Sequence, residues 1–236
     1  MYKWNLDFVV DARGNSMRIF YNKSAASYSR NNGQAVTYYE YNAVPQAIEY
    51  GYRATDAPGS SGQMRVEFTT DNRCNPNGCQ VDVPWDQFCA QAATSCPHTS
   101  PTFFTPYGLD LITTKVWNND AGAYQDVDRY DLVHSYPGTT DGTTSSLWLS
   151  TLTRTGVDGA NTTSEPTLEF WGDLRDNRVD HDAGNGVPPL RKFRLGYLLD
   201  NAGSRTTVTY NAGDCTASTL PTRTTTRNAA SPSTSR

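Results

Sequence analysis

The chain has 236 residues and a formal net charge of −4 at pH 7, with a pI near 5.3, so its charge gives no basis for a nucleic-acid or anionic-membrane partner. Mean hydropathy is −0.63, and no run approaches the roughly 18–20 apolar residues that span a bilayer. Much of the bulk comes from 14 Tyr and 5 Trp, which favour short strands over helices.

The start, Met1-Tyr2-Lys3-Trp4-Asn5, has no apolar signal-peptide core and leads straight into a strand pattern. Strands are predicted near 4–10, 16–21, 36–41, 46–52, 64–69, 109–117, 127–135, 146–153, 166–170, 192–199 and 205–210. Turn-rich breaks separate them at Asn31-Asn32-Gly33, Ala57-Pro58-Gly59-Ser60, Asn118 to Gly122, Pro137-Gly138, Asp141-Gly142 and Gly184-Asn185-Gly186. One short helix is predicted at 84–93, with Pro84 in its first turn. Strands this frequent, with almost no helical periodicity, make an all-β fold of successive antiparallel hairpins. Pattern alone does not separate a closed barrel, a sandwich and an open spiral sheet. An open sheet would expose edges.

One motif occurs twice, 189 residues apart. Residues 6–21 read L-D-F-V-V-D-A-R-G-N-S-M-R-I-F-Y and residues 195–210 read L-G-Y-L-L-D-N-A-G-S-R-T-T-V-T-Y. Leu6, Asp11, Gly14 and Tyr21 fall on Leu195, Asp200, Gly203 and Tyr210. Each copy predicts a hairpin: Asp can bond the turn backbone and Gly can supply positive φ. A lone hairpin is marginal, so a repeated one suggests stacking in a larger sheet. Leu6, Phe8, Val10, Ile19 and Tyr21, with Leu195, Tyr197, Leu199, Val208 and Tyr210, are the expected apolar contacts.

The D-x-x-G-N-x-x-x-x-x-Y pattern of Asp11 to Tyr21, with its echo at Asp200 to Tyr210, resembles the Rhs or YD-repeat family, which includes bacterial polymorphic toxins, insecticidal toxin-complex shells and the teneurins. Longer blocks are similar to its secreted actinobacterial branch: W-N-L-D-F-V-V-D-A-R-G-N at 4–15, V-P-W-D-Q-F-C at 83–89, K-V-W at 115–117, Y-Q-D-V-D-R-Y-D-L-V-H-S-Y-P at 124–137, L-W-L at 147–149, N-R-V-D at 177–180 and P-P-L-R-K-F-R at 188–194. The resemblance extends to about Cys215. It implies a β-rich segment over 1–215, part of a spiral shell or the region just ahead of it. Its partner would be the remainder of a larger secreted chain, and the toxic activity would lie elsewhere.

Cys74, Cys79, Cys89 and Cys96 fall in a loop-like insertion at 70–100, spaced C-x4-C-x9-C-x6-C, without the paired C-x-x-C knuckles of common zinc sites. Disulfides are the favoured reading, with local pairs Cys74–Cys79 and Cys89–Cys96 preferred among three connectivities; zinc and free thiols are the alternatives. Disulfides require an oxidising compartment, so a secretion signal is expected upstream in a longer polypeptide. Cys215 is unpaired in this count. After it, 11 of the 21 residues of 216–236 are Ser or Thr, too little apolar surface to offset ordering entropy, so a disordered tail is expected. A reading-frame shift after about Pro221 and a natural linker are both compatible with that composition.

Catalytic signals are weak. His98, His134 and His181 lie apart, with no G-x-S-x-G, no H-E-x-x-H and no phosphate-binding glycine loop. Glu165 with Glu169, or Asp126 with Asp128, could form the acid pair of a glycosidase, but solvated strand carboxylates are the ordinary case. Asp180 to Gly186 offers oxygen ligands for calcium without the EF-hand series, and reads more simply as a polar turn. Tyr38, Tyr39, Tyr41, Tyr50 and Tyr52 could stack sugars or merely pack. Asn161-Thr162-Thr163 is a formal glycosylation sequon. The sequence therefore predicts a non-enzymatic structural segment without cofactor or metal, with a secreted carbohydrate-binding β-module as alternative.

Overall fold

The computed structural model describes residues 4–53, 55–56, 59–179, 186–211 and 232–235. It is almost entirely antiparallel β-structure, and it divides into two compact units, Met1–Asp131 with Thr155–Ser164, and Leu132–Arg154 with Glu165–Arg236. Cys215, most of the expected tail and the calcium-like loop, apart from Gly186, lie outside the described residues.

In the first unit, β1 (Phe8–Val10) pairs with β2 (Asn15–Arg30), and β2 pairs with β3 (Ala35–Arg53) through sixteen rungs. β4 (Met64–Asn72) follows beside β3, and β5 (Cys74–Asn75) and β6 (Gly78–Cys79) form a separate two-stranded ladder. β7 (Tyr107–Asn118) joins β4 to β8 (Ala123–Ser135). The far half of β9 (Trp148–Asp158) and β10 (Asn161–Ser164) make a short hairpin in this unit, and the sequon lies on β10.

The structure joins the strands predicted at 36–41 and 46–52 into one. Pro45, between the two predicted strands, sits opposite Tyr21 at one of three register shifts between β2 and β3. The extra residue of that bulge is Gln46, since Phe20 faces Ala47 and Tyr21 faces Pro45, and prolines within sheets are confined to bulges, strand starts and edges. The turn at Asn31-Asn32-Gly33 has all three residues at positive φ (51°, 54° and 87°). The expected helix at 84–93 is corrected to a single 3-10 turn, Trp85–Gln87. Immediately after it Ala90 bridges to Ala26 and the Cys89 carbonyl accepts the Ser27 N–H at 2.9 Å. Those ties draw the chain into an extended course before a second helical turn can form.

The buried apolar side chains of this unit come from β2, β3 and the cysteine segment. Ala26, Tyr41, Ala47, Tyr52, Val83, Cys89 and Cys96 are buried. Two disulfides, Cys74–Cys79 and Cys89–Cys96, staple the segment.

In the second unit the near half of β9 pairs with β11 (Leu168–Arg175), β11 with β12 (Lys192–Leu199), and β12 with β13 (Arg205–Tyr210). β14 (Pro232–Ser235), within the Ser/Thr-rich tail, pairs with β13. Such a segment has backbone donors and acceptors enough to complete an edge even without apolar side chains.

Candidate functional site

Both copies of the repeated motif are antiparallel hairpins, β1 with β2 and β12 with β13. In the first copy the Asp11 carboxylate accepts the backbone N–H groups of Arg13 (2.8 Å) and Asn15 (2.9 Å), and the Asn15 side-chain amide at 2.8 Å. The Asp11 N–H donates to the Asn15 carbonyl, and Gly14 N–H to the Asp11 carbonyl. Gly14 lies at φ 80°, the left-handed residue that ends a type I turn and starts the return strand. The hydrogen bond from the Asn15 side chain, with those from the backbone of Asn15 and Arg13, holds the Asp11 carboxyl below the usual carboxylate range.

The second copy repeats these bonds. Asp200 accepts the N–H groups of Ala202 (2.9 Å) and Ser204 (2.7 Å), Gly203 N–H donates to the Asp200 carbonyl, and Gly203 lies at φ 84°. The strands match too: Phe8 opposite Arg18 corresponds to Tyr197 opposite Thr207. The terminal tyrosine closes each unit. The Tyr21 hydroxyl donates to the Leu6 carbonyl at 2.8 Å, and the Tyr210 hydroxyl donates to the Leu195 carbonyl at 3.1 Å. Hence the spacing from Asp to Tyr: the turn residue sets the register and the tyrosine latches the far end.

The expected apolar contacts are corrected for the first copy. Leu6, Phe8 and Val10 are exposed, because β1 is the terminal strand of its sheet among the described residues; their counterparts Leu195, Tyr197 and Leu199 are half-buried.

The cysteine segment is docked along the far half of β2. Ser29 N–H donates to the His98 carbonyl at 2.8 Å, and the Ser27 and Ser29 hydroxyls donate to the carbonyls of Gln91 (2.9 Å) and Cys96 (2.6 Å). Small side chains at Ala26, Ser27 and Ser29 admit this close approach. Tyr39 bonds Thr102 through both N–H and carbonyl at 2.9 Å, and Tyr41 packs between Phe88 and Phe104. The tyrosines of β3 therefore form no common platform: Tyr38 is exposed while Tyr39, Tyr41 and Tyr52 pack inward.

The candidate acid pairs are committed elsewhere. Asp126 accepts from Arg129 at 2.7 Å and faces Lys115 at 3.2 Å. Glu165 accepts from Arg154 (2.6 Å) and Asn201 (2.9 Å), and Glu169 accepts from the Trp171 indole N–H at 2.9 Å. Sequence reasoning missed the rest of that ion-pair ladder, in which Glu49 pairs with Arg65, Arg65 with Glu67, and Glu67 with Lys115. The Tyr52 hydroxyl donates to Glu49, and burial, with that bond to a carboxylate, pushes its pKa up to about 12. Sequence reasoning also missed Asp141, which accepts the Arg191 N–H at 2.8 Å and the Thr143 hydroxyl at 2.6 Å. His181 lies outside the described residues. No group of three or more His, Cys, Asp or Glu suited to a metal occurs among the described residues, and none of their helices is long and apolar enough to cross a membrane.

The second unit also has an open pocket of about 400 Å³, lined by Pro137, Trp148, Ser150, Glu169, Trp171 and Phe193 among others. Trp148 donates its indole N–H to the Phe170 carbonyl at 3.0 Å and meets Phe193 edge-on.

No protein-family model and no curated protein matches this sequence. Among solved structures the chain is similar to the crystal structure of TcdB2-TccC3, at 12% identity and a TM-score of 0.42, over 88% of this chain and 11% of that one.

Proposed function

We propose that this chain is a non-catalytic structural segment of a large secreted protein of the Rhs/YD-repeat, toxin-bearing kind, helping to build a shell that encloses or presents a toxin domain. The observation that carries this reading is one hairpin design used twice in one register: turned by aspartate, bent at glycine and closed by a tyrosine on a leucine carbonyl. The engagement of the candidate acids in ion pairs and hydrogen bonds supports a scaffold over a reaction centre, and two disulfides fit an oxidising compartment. Sequencing the DNA on both sides of this reading frame tests it. A secretion signal upstream and further D-x-x-G-x-x-x-x-x-x-Y repeats in flanking sequence are expected. Flanks that encode neither would overturn it.

A second reading, a carbohydrate-binding β-module, is favoured by the aromatic pocket of the second unit. Trp148 and Trp171 offer apolar faces, and Ser150 and Glu169 offer hydroxyl and carboxylate partners of the kind that orient a sugar. A glycan array separates the two, since a shell segment has no selective ligand.

A further inference from the structure

The two hairpins differ in what lies beside them. In the second copy the outer edge of β12 is taken by β11, with Trp171 opposite Tyr197, Gly172 opposite Leu195 and Gly196 the extra residue at a bulge between those pairs. A Cβ at Gly196 would come within 2.9 Å of the Asp173 carboxyl, and Asp7 holds that position in the first copy. The Trp171 and Tyr197 rings stack, 5.6 Å apart and inclined by 12°. Phe193 lies so close to Gly172 that a Cβ there would come within 2.4 Å of its ring. Counting back 189 residues, Phe193, Leu195, Tyr197 and Leu199 become Trp4, Leu6, Phe8 and Val10. These four have the same character but are 81%, 57%, 46% and 45% exposed.

Among the described residues the outer edge of β1, away from β2, has no strand partner. Asp11 N–H donates to Asn15, and Ile19 N–H to the Asp7 carbonyl, so odd-numbered residues bond to β2. Phe8 and Val10 then turn their N–H and carbonyl groups outward, as antiparallel alternation requires. Scattered exposed apolar residues are ordinary, but four at alternate positions along an open edge make a template for another strand.

We propose that the outer edge of β1 accepts an antiparallel strand of the β11 kind, with an aromatic residue opposite Phe8, a glycine opposite Leu6, where Trp4 needs the room that Phe193 takes over Gly172, and a small neutral residue in place of Asp173, because Asp7 fills the space that Gly196 leaves in the second copy. The internal repeat selects this occupant, since β11 is the strand that covers this hairpin design where it is covered. Recognition is by strand addition: main-chain bonds supply affinity and alternate side chains supply selectivity. The inference deepens the structural reading above and rests on it only for the source of the strand, an adjoining part of the parent polypeptide.

The test uses a labelled peptide with the sequence of residues 165–176 carrying Asp173→Gly, so that nothing meets Asp7, titrated into the full chain by fluorescence anisotropy. Saturable binding is expected, lost in Phe8→Pro and in Val10→Pro, each of which removes one outward N–H while leaving the bonds of Asp7 and Val9 to β2. A Gly→Val change in the peptide, at the position matching Gly172, is expected to weaken binding at least about tenfold. Absence of binding would overturn the proposal. So would binding that both proline variants retain, because the peptide would then be exchanging with β11 itself. Self-association of the chain that Phe8→Pro abolishes would assign the edge to a second copy and overturn the proposed occupant. Flanking DNA without repeats would remove the shell reading but leave the peptide result unchanged, so the two failures are distinguishable.

Discussion

A tyrosine hydroxyl reaching the carbonyl of a leucine fifteen residues upstream recurs in both hairpins, and it explains why the motif ends where it does. Tyr21→Phe and Tyr210→Phe should each cost about 0.5–1.5 kcal/mol in urea denaturation. Tyr210 should lose more, because its bond is partly buried and that of Tyr21 is exposed. Gly14→Val should cost at least about 1–2 kcal/mol, since Gly14 lies at φ 80° with no neighbour within 4 Å of an added Cβ, so the penalty is backbone strain alone. Unchanged stability would contradict the turn assignment. Tyr52 makes a pH prediction. Its ionisation is pushed from 10.0 to about 12, so its contribution is full below pH 10 and lost as pH rises towards 12, on the order of 2–3 kcal/mol. A Tyr52→Phe chain should lose less stability over that interval, and identical profiles would contradict the assignment. Asp11, Gly14, Tyr21 and their counterparts were legible because their roles are local to one hairpin. The Glu49 to Arg129 ladder was not, because its members meet only once β3, β4, β7 and β8 are in register.

Elements tell the same story of local against distant causes. The strand at 16–21 was legible by alternation, but its continuation through Asn22 to Arg30 was not. N-K-S-A-A-S-Y-S has no apolar period, and its small residues make sense only once the cysteine segment is seen against them. The helix expectation failed for a related reason: ties to Ser27 and Ala26 override the local preference of 84–93. The cysteine pairs were legible as short loops. By chain entropy each staple is worth about 2–3 kcal/mol, but they sit differently. Cys89 and Cys96 are buried against β2, while Cys74 and Cys79 close a small separate ladder. Cys89→Ser with Cys96→Ser should therefore lower the urea midpoint more than Cys74→Ser with Cys79→Ser. Equal shifts would mean that the docking of the segment does not depend on its staple.

At the scale of the whole molecule, the all-β architecture was legible from strand frequency and turn chemistry. The division into two compact units was not, since no composition shift marks it. Nor was the outer edge of β1, open among the described residues, because a sequence shows an apolar alternation without showing whether anything covers it. In the proposed reading, the exposed copy of the hairpin is the edge at which the parent polypeptide continues, as β11 covers the other copy. The most direct measurement of that claim is the size of the native polypeptide that carries this chain, read by immunoblot of the secreted fraction with an antibody raised against residues 70–100. The account predicts a band far heavier than the 26.0 kDa of this sequence. A secreted product of that mass alone would contradict it.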